Sequence, residues 1–184
     1  MLATLALAGL TASLSLAPEA ASVAPAAPAG EGFRESGGYL HASPAGAAWY
    51  FGAPVIAYSW SLGGGYHFAR GRRFAAQVGG FFQHIVWTPP DVMHDVRVGP
   101  ELRIGGSSPR VFGYAVARVG LDIRTGAGNS SSQVYPGALV TLGAGVQGAL
   151  GPRRRFILGF EPTASISLPG FMTVEARLLL GWRF

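Results

Sequence analysis

From residue 37 to the C-terminus, apolar residues recur at every second position, and no charge inside these segments falls among them. A repeat of two is the side-chain period of a β-strand, whose neighbours point to opposite faces. Segments of roughly ten to fourteen residues with this alternation are the pattern of barrel strands. They fall at about 37–43, 55–68, 73–87, 94–105, 111–124, 137–149, 155–166 and 171–184. The first is interrupted at Pro44, and its strand either stops at Ser43 or runs on to Phe51.

Parity separates the faces. In the fourth segment Val96, Val98, Pro100, Leu102 and Ile104 oppose Asp95, Arg97, Gly99, Glu101 and Arg103. In the eighth, Val174, Ala176, Leu178, Leu180, Trp182 and Phe184 oppose Glu175, Arg177, Gly181 and Arg183. The second and sixth carry small residues on the polar side, such as Ser59, Ser61, Gly143 and Gly145. A soluble barrel would turn the apolar face inward and cover its outside with charge, roughly 25–35% of the surface. Here only 12% of the whole chain is charged. The inverted arrangement, with lipid outside and small or paired polar groups inside, fits better. No stretch after residue 30 gives the about 20 apolar residues of a transmembrane helix. The predicted fold is all-β: an eight-stranded, antiparallel, up-and-down transmembrane β-barrel.

The chain divides into a signal peptide at 1–26, a flexible lead-in at 27–36 and a barrel domain at 37–184. Residues 1–17 are an Ala/Leu-rich run, and Ala24-Pro25-Ala26 is a small-residue cleavage motif. The missing basic residue before that run is a departure from the usual signal. Short connections at 69–72, 106–110 and 151–154 contrast with longer stretches at about 88–94 and 125–136. That contrast predicts arginine-rich turns on the periplasmic side and partner-contacting loops outside. An aromatic girdle is expected at the periplasmic rim from Tyr66, Phe68, Phe74, Phe112, Phe156, Trp182 and Phe184.

The final segment, Glu175-Ala176-Arg177-Leu178-Leu179-Leu180-Gly181-Trp182-Arg183-Phe184, ends on Phe with apolar residues at alternate positions before it. In this the chain resembles the small outer-membrane β-barrel family, which includes the transmembrane domain of outer-membrane protein A and its eight-stranded relatives. The resemblance implies export to the outer membrane of a Gram-negative cell. It also implies contact with outer-membrane lipids, and recognition of the last strand by the outer-membrane insertion machinery. It implies no reaction.

The inward-facing charges are Arg97, Arg103, Arg118 and Arg177 against Glu101, Asp122, Glu161 and Glu175. Isolated buried charges are very costly, whereas paired ones are tolerated. An interior ion-pair network that plugs the lumen follows, since eight strands leave little room beyond side chains. The predicted function is structural or surface-presenting, without catalysis. The alternatives are a lipid-modifying enzyme resembling lipid A deacylases, or a narrow channel or transporter. Of His41, His67, His84 and His94, His84 lies by parity on the lipid side near the outer rim, but no Ser stands two residues from it. No catalytic, cofactor or metal site is predicted, and the absence of cysteine removes thiolate ligands and disulfides. The net charge of +5 comes from arginines in turns and strands, without the exposed interleaved aromatics of a nucleic-acid surface. No nucleic-acid partner is predicted. The partner of the external loops is not legible.

Two arginine runs, Arg70/Arg72/Arg73 and Arg153/Arg154/Arg155, read equally as lipid-phosphate ligands or as solvated turn residues.

Overall fold

A computed structural model describes residues 32–51, 56–70, 73–88, 92–128, 131–168 and 170–184, with only the backbone of 127–128 and 131–133. The expected signal peptide and most of the lead-in, residues 1–31, lie outside the described residues. Eight strands follow a short 3-10 turn, Gly32–Arg34. They are β1 Gly37–Tyr50, β2 Ile56–Arg70, β3 Phe74–Trp87, β4 Met93–Ser107, β5 Val111–Gly128, β6 Ser131–Leu150, β7 Phe156–Leu168 and β8 Phe171–Arg183. Each pairs antiparallel with its sequence neighbours, and β1 pairs with β8 to close the barrel. Closure leaves no sheet edge along the wall, so backbone N–H and C=O groups are satisfied strand to strand.

β1 runs to Tyr50 by stepping over Pro44. Its register shifts between Ser43 and Gly46 against both neighbours. Proline has no N–H to give the ladder, and a bulge is where a strand accommodates one. The bulge also flips parity: Tyr39, His41 and Ser43 point inward before it, Ala48 after it.

Beyond β1, and apart from Phe112 on β5, the facing predicted from sequence holds. On the outward side stand Leu62, Val98, Leu121, Leu142, Leu158, Leu178 and their neighbours. Among the described residues, the only charged strand residue on that side is Arg70, at the end of β2. A continuous apolar belt around the molecule far exceeds the few hundred Å² that a water-soluble monomer exposes. No helix among the described residues is long and apolar enough to cross a membrane.

The contrast between short turns and long loops is not what the structure shows. The connection after β3 covers only 88–92, and most of 125–136 is strand. There β5 and β6 stay paired through Thr125↔Val134 to Gly128↔Ser131. A Ser/Gly-rich composition reads as loop, but paired across a hairpin it satisfies the ladder as well as any other. β6 begins at Ser131, whereas its pairing with β7 begins only at Ala138. The hairpin therefore rises as a two-stranded ribbon above the rim opposite the termini.

Candidate functional site

Among the described residues, the lumen is where acids and arginines gather together. At mid-depth, Glu101 and Arg118 are register partners on β4 and β5, and Glu161 and Arg177 on β7 and β8. Arg103 pairs with Glu101 on its own strand, its Nη1 at 2.7 Å, and reaches across the barrel to Glu161, its Nε at 2.9 Å. Arg118 donates Nε to Glu101 at 2.6 Å and pairs with Glu161 as well. Arg177 donates to Glu161 at 2.7 Å, and Tyr114 gives Glu161 its hydroxyl at 2.9 Å. All five charged side chains are buried, at 2% exposure or less. His41 Nε2 lies between two of them, 3.0 Å from Arg103 Nη1 and 3.4 Å from Glu101 Oε1.

A second layer lies toward the ribbon end. Arg97 bridges Asp95 at 2.8 Å and Glu175 at 2.6 Å, and donates to Thr173. Gln83 donates to Glu175, Arg124 pairs with Asp122, and Ser167 donates to Asp122. Above this layer the mouth is filled by Ala48, Ala57, Ile85 and Trp87, with Tyr50 and Met93 against them. The Arg124 guanidinium lies 4.0 Å from the centre of the Phe171 ring.

All eight charges expected in the lumen are placed there. Asp95 and Arg124 belong with them, beyond the eight that the sequence assigns to the network. Their signal was present, since each shares the inward parity of its strand. Both stand near strand ends, where a sequence boundary is least secure.

The end carrying the termini is closed by aromatic packing. Phe33 of the 3-10 turn is fully buried among Phe112, Tyr114, Ile157 and Ala149. His67 Nε2 donates to the Phe33 carbonyl at 3.0 Å, and the Arg183 guanidinium sits 5.0 Å from the Phe33 ring centre. Residues 32–36 were expected to finish a flexible lead-in. Phe33 instead enters the mouth, because an apolar ring offered to an aromatic cup gains more by burial than by remaining in water.

Phe112 corrects the expected girdle. It shares parity with Tyr114 and Arg118 and is fully buried, with its ring 5.7 Å from that of Phe33. Tyr66, Phe68, Phe74, Phe156, Trp182 and Phe184 do stand on the outer face at this end.

Outside the barrel, Trp60, His84 and His94 form a polar spot on the lipid side. Trp60 Nε1 donates to His84 Nδ1 at 3.1 Å, so a neutral His84 carries its hydrogen on Nε2 and donates to His94 Nδ1, 3.1 Å away. No serine hydroxyl or carboxylate joins them among the described residues. Nucleophilic catalysis needs a nucleophile within hydrogen-bond reach of its base. Among the described residues, no group of three or more His, Cys, Asp or Glu is placed to hold a metal ion.

Three solved structures share this architecture. Neisserial surface protein A matches with a TM-score of 0.58 at 13% identity, covering 81% of this chain and 97% of that one. Ail, the attachment invasion locus protein of Yersinia pestis, matches at 0.54 and 14% identity, over 81% and 97%. The N-terminal β-barrel domain of Pseudomonas aeruginosa OprF matches at 0.52 and 14% identity, over 82% and 100%. No protein-family model and no curated protein matches the sequence. The fold is that of the small eight-stranded outer-membrane β-barrels.

Proposed function

We propose that the chain is a non-conducting barrel of the bacterial outer membrane, with a structural and surface-presenting role and no catalysis. The observation that carries this is the mid-lumen layer, where Glu101, Glu161, Arg103, Arg118 and Arg177 join side chains from opposite walls. A permeant ion would have to break several buried pairs at once, and removing one partner of such a pair costs about 3–5 kcal/mol. The aromatic closures at the two mouths add to that barrier. In this reading both termini and the arginine-bearing turns face the periplasm, and the β5–β6 ribbon faces outward.

The ribbon supplies the presenting surface. Val134 and Tyr135 are more than half exposed on it. On the β7 side, the described ladder of β6 starts at Ala138, and a strand edge beyond its ladder is a template for another extended segment.

Planar-bilayer recording on the refolded full chain tests the proposal. The expected trace shows no stable conductance steps; a large, persistent open channel overturns it.

A further inference from the structure

The arginine turn between β6 and β7 does more than end two strands. Leu150, Phe156 and Trp182 are outward-facing register partners in a row across β6, β7 and β8. With the 151–155 turn they enclose a cleft of about 340 Å³ at the rim carrying the termini. Arg153 and Arg155 are exposed at its lip. Arg154 is half-buried and left-handed (φ 50°), with its side chain beside Gly32, so it shapes the turn. Among the described residues no carboxylate pairs with any of the three. The other turns add Arg73 and Arg110, and Glu35 is the only described acid at this end.

A second hollow adjoins the first and shares Phe156 and Trp182 with it. It is an apolar groove of about 520 Å³ running up the outer wall over Ala42, between Leu40, Leu62 and Leu180. A basic lip opening onto an apolar groove in a lipid-facing wall has the two chemistries of one amphiphile in sequence: a phosphate and an acyl chain.

We propose that this pair of hollows binds an anionic phospholipid of the periplasmic leaflet. The phosphodiester sits on Arg153 and Arg155, one acyl chain crosses Phe156 and Trp182, and that chain lies over Ala42. Charge complementarity selects the headgroup, and the groove selects a membrane lipid over a free anion. The proposal rests on the membrane-barrel reading above.

Native mass spectrometry of the full chain in detergent tests it, with dioleoyl phosphatidylglycerol, dioleoyl phosphatidylcholine and inorganic phosphate as probes. A cation beside an anionic lipid gives about a fivefold preference, so two give on the order of twentyfold for phosphatidylglycerol. R153Q/R155Q is expected to bring that preference to within about twofold of unity by the same arithmetic. R70Q/R73Q, in a turn without the cleft, is expected to leave it intact. A42F fills the groove and is expected to lower phosphatidylglycerol retention with both arginines in place. Equal retention of the two lipids overturns the proposal, as does an equal loss in R70Q/R73Q, which would mean a diffuse field. Displacement of the lipid by millimolar phosphate, or unchanged retention in A42F, also overturns it. A chain that stays soluble without detergent and shows no heat-dependent gel shift overturns the barrel itself, a result distinct from any of these.

Discussion

Glu161 is the most connected acid in the lumen, and Glu161→Gln is the sharpest perturbation of the plug. Its carboxylate receives Arg103 at 2.9 Å, Arg177 at 2.7 Å, Arg118, and the Tyr114 hydroxyl at 2.9 Å. Glutamine keeps the volume but removes the charge, and places an NH2 where one guanidinium now donates. Arg103 and Arg118 retain Glu101. Arg177 loses the one carboxylate it pairs with among the described residues and keeps only Ser61, at 3.5 Å. Three cations would then share a single acid in a buried layer. The cost of unpairing a buried charge, about 3–5 kcal/mol, is the scale for the whole substitution, because the neighbours that keep Glu101 limit the damage. With a urea dependence of about 2 kcal/mol per molar, the unfolding midpoint should fall by about 2 M. The assay is urea unfolding of barrel refolded in vesicles, read by tryptophan fluorescence and by heat-dependent gel mobility. Combining E161Q with R177M removes the stranded cation as well and should recover part of the loss, with a coupling of about 1–3 kcal/mol. A midpoint within about 0.5 M of wild type for E161Q, some 1 kcal/mol at the same slope, would refute the claim that this layer holds the interior.

Phe33→Ala should cost about 3 kcal/mol, the scale for emptying a buried aromatic site, and thermal unfolding would show it. Conductance should stay absent in that variant, because the ion-pair layer is untouched; unchanged stability would mean that the turn does not occupy the mouth. Gly79 faces Gly65 across β2 and β3, and a Cβ there would overlap the Gly64 carbonyl and lie 2.8 Å from the Tyr39 hydroxyl. Gly79→Ala should therefore destabilise the barrel by about 1–3 kcal/mol. Gly80→Ala points its Cβ outward, with only the Gly99 carbonyl 3.6 Å away, and should be nearly neutral. Equal urea midpoints for the two alanine variants would contradict the close approach.

Parity made the wall legible. Once the apolar set was assigned to lipid, the inward set in each strand followed, including Arg97, Arg103, Arg118 and Arg177. What parity cannot give is partners. Arg103 on β4 meets Glu161 on β7, 58 positions away, only because closure brings opposite walls together. Phe112 departs from the girdle because its parity, shared with Tyr114, turns its ring into the lumen. The β5–β6 ribbon is hidden in the sequence because Ser and Gly suggest a loop until a paired strand lies beside them. Phe33 carried no local signal, because the cup that buries it is assembled from β3, β5, β6 and β7.

The interior charges also explain how one register is chosen. A strand slipped by one residue exchanges its two faces. For β4 that would carry Asp95, Arg97, Glu101 and Arg103 into lipid and bring Val96, Val98, Leu102 and Ile104 into the lumen. An arginine on the lipid face costs about 2–4 kcal/mol at the midplane. The acids left behind on β7 and β8 would lose their partners as well. An apolar or all-glycine lumen would impose no such penalty. A buried ion-pair layer contributes little net stability when complete, yet it makes each misregistered barrel much worse than the native one. On that argument the same residues that close the pore to ions also fix how the strands zip.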